Sequence, residues 1–245
     1  MAVLVTRPHP DDETTAAGLR ARGFEVLLAP MLRFEPVAFN DDADARYGAV
    51  IVTSANALRG IEPQLPDSKL LKLPLFAVGE HTASAARSHG FETVISAKGD
   101  ATSLRDLVLA SVKAKTLTKA SPLLYLAGAD LARDLAGELG GRGFTVVTQT
   151  TYRMVPLSGL PREACDAFTA NGVEAVLHYS GRSARAFLES VRAAGVEISA
   201  LAIPQCCISA AVASIVRDAG ATQVMVAASP DENALFESLD RALRS

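Results

Sequence analysis

Hydroxyl and glycine residues follow several short apolar runs of this sequence, in positions where they could bind an anion. The pattern is clearest in AVIVTSANALRG at 49–60 and AVLHYSGRSARAF at 175–187, where a hydroxyl residue separates an apolar run from an alanine-rich segment. If the runs are strands and the segments helices, hydroxyls and free backbone N–H groups meet at each junction, and such groups bind carboxylates and phosphates. The pattern therefore predicts a site for an anionic small molecule.

The candidate binding residues come from six such junctions. Arg7 could bind a carboxylate through both arms of its guanidinium, although the alternative is a surface arginine paired with Asp11 or Asp12. For the small and hydroxyl residues, the alternative is that each only caps a helix. The complete set of candidates is Thr6, Arg7, Thr53, Ser54, Ala55, Gly79, Glu80, His81, Thr82, Gly128, Ser180, Gly181 and Ser209.

Tyr152 is the candidate catalytic residue, because a phenol in an extended segment could act as a general acid; the alternative is a packing role. His178 lies in an apolar run, which is typical of a core histidine. GELGGRG at 137–143 ends a helix instead of following a strand, so it is not a dinucleotide fingerprint. No histidine or cysteine spacing predicts a metal site.

Composition restricts the partners. The 24 Lys and Arg against 27 Asp and Glu give a net charge of −3, which offers no footprint for nucleic acid or an anionic membrane. The sequence shows no signal peptide and no apolar run of about 20 residues. Cys165, Cys206 and Cys207 are expected to be buried free thiols in a reducing compartment. We expect a cytoplasmic protein, and a monomer because no sizeable apolar stripe is left unassigned.

Apolar runs and amphipathic segments alternate along the chain, which predicts a doubly wound parallel α/β fold. The predicted strands are 2–6, 25–29, 48–53, 74–78, 93–95, 122–127, 145–150, 174–179, 203–208 and 223–227. The predicted helices are 11–22, 54–61, 81–89, 101–113, 130–142, 161–171, 181–194, 209–219 and 231–243. Several of these helices end on glycine, which favours the left-handed conformation that closes a helix.

Four segments recur in the same order at offsets of about 120–130 residues, which predicts two similar domains. The pairs are 3–26 with 123–146, 49–60 with 175–187, 77–91 with 207–221, and 99–108 with 229–239. The extended stretches 30–39 and 150–159 are expected to pair as a two-stranded bridge. We therefore predict a discontinuous domain of residues 1–34 and 156–245, a second domain of 38–150, and linkers at 35–37 and 151–155.

Taken together, these motifs resemble the uroporphyrinogen-III synthase family. The resemblance rests on the opening VLVTRP and LLAPMLRFEP, the VIVTSANA and FAVGEHTA turns, YLAGAD, the TYRMVP linker and the late ASPDENAL. It spans nearly the whole chain. It implies two flavodoxin-like parallel-sheet domains joined by a two-stranded linker, with the N-terminal segment returning to the C-terminal domain.

The resemblance also implies the reaction: hydroxymethylbilane cyclises to uroporphyrinogen III with loss of water and inversion of ring D, without cofactor or metal. Tyr152 matches the linker tyrosine that assists departure of the hydroxyl. Thr53, Ser54, Thr82 and Ser180 match turn residues that bind carboxylate arms. Asn56, Pro204 and the 209–211 turn depart from the family pattern. The alternative is a non-catalytic two-domain protein that binds an anionic small metabolite.

Overall fold

The computed structural model describes residues 1–39, 46–66, 68–131 and 133–244. Within them lie eleven strands: β1 Ala2–Val5, β2 Glu25–Leu28, β3 Leu32–Pro36, β4 Ala49–Val52, β5 Leu75–Ala77, β6 Val94–Ser96, β7 Leu123–Gly128, β8 Val146–Pro156, β9 Val173–His178, β10 Gln205–Cys207 and β11 Val224–Val226. The α-helices of these residues are α1 Asp11–Ala21, α2 Ala55–Arg59, α3 Glu80–Ser88, α4 Ala101–Lys113, α5 Leu135–Gly140, α6 Arg162–Thr169, α7 Gly181–Ala193, α8 Glu197–Leu201, α9 Ala210–Asp218 and α10 Glu232–Leu243. Two 3₁₀ helices span Glu62–Gln64 and Lys69–Lys72.

The chain divides into two compact units. Unit 1 contains Met1–Phe34 and Val155–Ser245, and unit 2 contains Glu35–Met154. Each unit is built on its own mainly parallel sheet, so the predicted parallel α/β class is confirmed.

Unit 1 has a five-stranded sheet in the order β11-β10-β9-β1-β2, with every neighbouring pair parallel. Counted along the chain from β1, this is the order 2-1-3-4-5 of one common doubly wound fold. All four residues of β1 are buried, as expected for a central strand of a parallel sheet that is covered on both faces. Its core includes Val3 and Leu177 from the strands, packed with Leu19 of α1 and Leu235 of α10.

Unit 2 has the strand order β3-β8-β7-β4-β5-β6. The five strands after β3 are parallel to one another. Strand β3 is antiparallel to β8. The Val37 N–H donates to the Thr151 carbonyl and the Leu157 N–H donates to the Met31 carbonyl, so residue numbers increase along one strand while they decrease along the other. The core is formed by residues such as Ile51, Phe76, Leu104 and Leu123.

The four predicted repeat pairs occupy equivalent sheet positions in the two units. The order β8-β7-β4-β5-β6 of unit 2 corresponds to β2-β1-β9-β10-β11 of unit 1. The chain enters the two units at different positions of the shared fold. The first parallel strand of unit 2 along the chain is β4, which is equivalent to β9 of unit 1, whereas unit 1 begins with β1, which is equivalent to β7. The matching turns after α3 and α9 contain Gly90 and Gly220, whose φ angles of 93° and 104° need a residue without a side chain.

Most predicted elements are shifted by a few residues at their ends, and three larger differences stand out. Strand β8 is one strand of 11 residues, so the predicted strand 145–150 and much of the extended stretch 150–159 are continuous. Helix α5 begins at Leu135 instead of residue 130, because the Asp134 side chain accepts the Gly137 N–H and starts the helix there. Helix α8 was missed, since it has five residues and no side-chain cap.

The cysteines are free thiols, as predicted, but only two of the three are buried. Cys165 is partly exposed, while Cys206 and Cys207 lie in the core of unit 1. Burial raises the pKa of both buried thiols to about 12, so they stay protonated and unreactive. Within the described part of the chain, no helix is long and apolar enough to cross a membrane.

Candidate functional site

The predicted residues lie where the parallel strands of each unit end. In a doubly wound sheet, ligands bind beyond the carboxyl ends of the strands, at the point where the strand order reverses. In unit 1 this point lies between β1 and β9, which lead into Arg7 and Ser180. In unit 2 it lies between β7, which ends at Gly128, and β4, which is followed by Thr53.

In unit 2, the candidate acid Tyr152 is held by a bulge in β8. Ala127 pairs with Thr150 and Gly128 with Tyr152, which leaves Thr151 as the extra residue. Thr151 is fully buried, its Oγ1 donates to the Ala57 carbonyl at 2.9 Å, and its own carbonyl accepts the Val37 N–H at 2.9 Å. The bulge sets the direction of the next residue, so these contacts fix Tyr152.

Gly128 serves Tyr152 directly. A Cβ atom at position 128 would lie 2.7 Å from Cζ and 2.9 Å from the phenol oxygen of Tyr152. The Ala129 N–H also donates to the Tyr152 carbonyl at 2.9 Å. The missing side chain at Gly128 therefore makes room for the tyrosine ring, and Tyr152 itself is only 9% exposed.

Thr53, at the end of β4, is paired with a second tyrosine. Its Oγ1 lies 3.1 Å from the phenol oxygen of Tyr125 on β7. Tyr125 is 3% exposed, and burial raises the pKa of its phenol, with a smaller contribution from the nearby Tyr152. Three hydroxyl side chains from β4, β7 and β8 are thus gathered at this edge of unit 2.

The next residues of unit 2 begin helices. Ser54 Oγ accepts the Asn56 N–H at 3.2 Å, so Ser54 caps α2, and Ala55 is the first helical residue. Gly79 begins α3 without a side-chain cap. The first-turn N–H groups of this helix, those of Glu80, His81 and Thr82, therefore receive no acceptor from the capping residue.

The side chains of that first turn differ in access. Glu80 is exposed and bonds Arg87 at 2.6 Å, an interaction that lowers the pKa of its carboxyl. His81 is exposed as well. Thr82 is only 5% exposed. Most of its side chain is therefore packed within the unit, and its backbone N–H lies in the uncapped first turn of α3.

In unit 1, Arg7 binds carboxylates of the chain itself. Its Nη1 lies 3.1 Å from Glu232 Oε1 and its Nη2 lies 3.3 Å from Asp11 Oδ2. The Tyr179 phenol donates to the same Glu232 oxygen at 2.9 Å, and Thr15 Oγ1 lies 2.5 Å from it. The guanidinium stacks 4.6 Å above the Tyr179 ring. Its pairing with Asp11, the alternative considered from sequence, is therefore present.

The remaining candidates of unit 1 have mixed roles. The Thr6 hydroxyl is fully buried and donates to the Leu177 carbonyl at 2.8 Å, so its side chain is engaged within the sheet. Ser180 and Ser209 cap α7 and α9, and both are partly exposed. A Cβ at Gly181 would lie 2.9 Å from the Ile215 side chain, so packing between helices explains this glycine.

Two residues of these clusters were missed from the sequence: Tyr125 and Glu232. Tyr125 had a usable signal, because it is a polar-tipped ring within the apolar run LLYLAG, and a buried tyrosine hydroxyl usually finds a partner. Glu232 had none, since its partners Arg7 and Thr15 are more than two hundred residues away along the chain.

The fold and these strand ends define a class of protein: a parallel α/β protein of two similar units that presents hydroxyl and amide donors where its strands end. Within the described residues, no group of three or more His, Cys, Asp or Glu side chains could hold a metal ion. The family model for uroporphyrinogen-III synthase HemD matches residues 13–237. The chain therefore belongs to the uroporphyrinogen-III synthase family.

Solved structures agree with this fold. Uroporphyrinogen-III synthetase from Helicobacter pylori is 18% identical, with a TM-score of 0.67 and 99% of each chain covered. A mutant uroporphyrinogen III synthase from Thermus thermophilus is 17% identical, with a TM-score of 0.56, covering 100% of this chain and 99% of that one. No curated protein matches the chain. Membership of the family implies a lyase-type enzyme of tetrapyrrole biosynthesis with a small-molecule substrate.

Proposed function

We propose that this chain converts hydroxymethylbilane into uroporphyrinogen III, with loss of water and inversion of ring D, and that it uses no cofactor or metal. The observation that carries the proposal is the family match over residues 13–237. The setting of Tyr152 supports it, because a phenol fixed by a bulge at a strand end suits a single proton donation.

In the proposed reaction, Tyr152 donates its proton to the terminal hydroxyl of the linear substrate, which leaves as water. The azafulvene cation that remains is attacked by the substituted carbon of ring D, and the resulting spiro-pyrrolenine fragments and recloses with that ring inverted. Spontaneous closure gives the uninverted type I isomer. The enzyme's main contribution is therefore to hold a flexible chain in the pose that favours the harder attack.

The substrate's acetate and propionate arms need donors, and each unit offers them at its strand ends. In unit 2 we propose the Thr53 and Ser54 hydroxyls and the first-turn N–H groups of α3. In unit 1 we propose Ser180 and Ser209 with the N-terminal turns of α7 and α9. Arg7 has a weaker claim, because both of its Nη atoms already face carboxylates of the chain.

We also propose that the two units act as domains, one of residues 1–34 and 156–245 and the other of 38–150, linked by 35–37 and 151–155. Each contains a complete parallel sheet of the doubly wound kind. A cytoplasmic monomer is the state we propose for the working enzyme.

One assay tests the proposed function. Freshly prepared hydroxymethylbilane is incubated with the purified protein, and the oxidised products are separated into type I and type III uroporphyrin isomers. We expect type III to predominate, at a rate proportional to protein concentration. Formation of type I alone would refute the enzymatic function, and retained binding of uroporphyrin III in that case would favour the non-catalytic binding protein.

A further inference from the structure

The phenol of Tyr125 lies buried beneath the candidate site of unit 2. It belongs to β7, where Tyr125 pairs with Ile51 of the neighbouring strand β4. Thr53, two residues beyond Ile51 and just past the end of β4, places its Oγ1 3.1 Å from the phenol oxygen. Within the described residues, this threonine is the one hydrogen-bond partner of the phenol.

The direction of this hydrogen bond follows from burial. A buried O–H without an acceptor destabilises a protein by about 1–3 kcal/mol. If Thr53 donated to Tyr125, the phenol proton would be left unpaired in the core. If Tyr125 donates instead, every buried group is satisfied, because Thr53 is partly exposed and can direct its own proton outward. Tyr125 is therefore the donor and Thr53 the acceptor.

The electrostatics of Tyr125 maintain this arrangement. Burial raises the pKa of the Tyr125 phenol, the hydrogen bond with Thr53 lowers it and the neighbouring Tyr152 raises it. The net shift is upward, so the phenol keeps its proton throughout the physiological range. A permanently protonated, buried phenol occupies the inner lone pair of Thr53 Oγ1. The threonine hydroxyl is then left with a proton that points away from the core, in the residue that precedes the α2 cap Ser54.

We propose that Tyr125 is a positioning residue that fixes Thr53 as an outward hydrogen-bond donor, and that this makes the strand end of β4 selective for a carboxylate oxygen of the substrate. The inference rests on the proposed function and deepens it. A threonine that is free to rotate can aim its proton in several directions, whereas a threonine held in this way aims its proton outward and keeps one further lone pair. Ligands that present an acceptor are therefore preferred over those that present a donor.

Removal of one oxygen tests the proposal. In Tyr125→Phe the Thr53 hydroxyl loses its internal donor and is no longer held in one orientation. We expect the Kd for uroporphyrin III, measured by fluorescence titration, to rise about fivefold to tenfold, as for the weakening of one ordinary hydrogen bond. We expect KM for hydroxymethylbilane to rise by a similar factor while kcat changes less than twofold. A general loss of structure would not produce that separation.

A mutant cycle with Thr53 identifies the path of the effect. Thr53→Val keeps the shape and removes the hydroxyl, and Thr53→Ser keeps the hydroxyl. We expect Thr53→Val to match Tyr125→Phe in Kd, Thr53→Ser to stay near wild type, and the double variant Tyr125→Phe with Thr53→Val to be no weaker than Thr53→Val alone. Effects that multiply in the double variant would overturn the proposal.

Two outcomes separate this inference from the proposed function. If the wild type forms type III uroporphyrinogen and Tyr125→Phe has the same Kd, KM and kcat as the wild type, the positioning role is refuted and the enzymatic function stands. If Tyr125→Phe does not fold, Thr53→Val decides: an unchanged Kd shows that the threonine hydroxyl does not donate to the ligand, and the proposal fails. A wild type that forms only type I isomer refutes the proposed function itself.

Discussion

The neighbours of Tyr152 leave little space around its ring and so restrict its orientation. The absent side chain of Gly128 makes room for the ring, and the buried Thr151 anchors the neighbouring backbone through its bond to Ala57. A general acid needs such definition, because proton transfer requires its oxygen within hydrogen-bond distance of the leaving group.

Tyr152→Phe removes the proposed acid and little else. We expect kcat for type III formation to fall about 10²-fold, the lower end of the range for general acid catalysis. The melting temperature should change little, since the ring remains. The matched control is Tyr47→Phe, which removes the phenol oxygen of another tyrosine in the same unit. Tyr47 lies just before the start of β4. Equal rates for Tyr152→Phe and the wild type would remove this residue from the mechanism.

Gly128→Ala tests the same tyrosine through its neighbour. The added Cβ would meet the Tyr152 ring at 2.7 Å, so the ring must move. We expect stability to fall by about 1–3 kcal/mol in urea unfolding, as for other overpacked sites, and kcat to fall toward that of Tyr152→Phe. In the Tyr152→Phe background, Gly128→Ala should have no further effect on kcat. A further decrease of kcat in that background would show that Gly128→Ala does not act through the Tyr152 phenol.

At this scale, the sequence predicts residues whose role is local. Ser54 and Ser180 cap the helices that follow them, and the pattern of an apolar run followed by a hydroxyl residue is sufficient to find them. Thr82 and Thr6 fit the same pattern but are buried, because burial depends on the neighbouring strands and helices. The bond between Thr53 and Tyr125 joins two strands, so no local pattern could predict it.

Among the elements, α2 approaches the β8 bulge closely. Gly60, just after α2, approaches the Thr151 carbonyl so closely that a Cβ there would lie 2.2 Å from the oxygen. Thr151 in turn donates to Ala57 within α2. The helix therefore determines where the bulge sits.

Gly60→Ala is expected to displace the bulge. Because the clash is with backbone, it cannot be relieved by a side-chain rotation, and we expect a destabilisation of about 3 kcal/mol, at the upper end for overpacking. Type III formation should fall together with it. Gly140→Ala is the control: no atom lies within 4 Å of the added Cβ at the end of α5, and stability should stay equal or rise by about 0.5–1 kcal/mol. If Gly60→Ala has the same unfolding free energy and turnover as the wild type, the proposed dependence of the bulge on α2 is refuted.

The elements themselves were largely predictable. Continuous apolar runs such as AVIV and LLYLAG are typical of parallel strands, and both are strands here. The continuity of β8 was not predicted, because residues 145–150 were expected as a strand of the sheet and 150–159 as a separate extended stretch, whereas β8 runs unbroken from Val146 to Pro156 beside β3. Tertiary pairing, which a single sequence does not display, decides such boundaries.

For the whole molecule, one buried histidine makes stability depend on pH. His178 is fully buried in unit 1, and Gln205 bonds its Nε2 at 2.9 Å. The amide nitrogen of Gln205 donates to the Ala200 and Ile203 carbonyls, so its oxygen faces the ring and Nε2 carries the proton. Nδ1 has no partner among the described residues, and desolvation lowers the pKa of His178 to about 4.

The sign of the effect follows from linkage. Between pH 6.5 and about 4, the unfolded chain protonates this histidine and the folded chain does not, so the free energy of unfolding decreases as the pH falls. We expect this contribution to reach about 3 kcal/mol. Urea unfolding at pH 7, 5.5 and 4.5 should show the loss in the wild type and a smaller one in His178→Gln, which has no titrating ring. Parallel curves for the two proteins would contradict the prediction.

The division of unit 1 along the chain has a consequence for synthesis on the ribosome. Strand β1 lies between β2 and β9, so residues 1–34 leave the exit tunnel long before the strand that completes their sheet is translated. At ~5–20 residues per second, the delay is on the order of ten seconds. Unit 2 has a continuous sequence and can fold during that interval. The apolar first strand must meanwhile remain unpaired on its β9 side, and the nascent chain is then most exposed to chaperones and to aggregation.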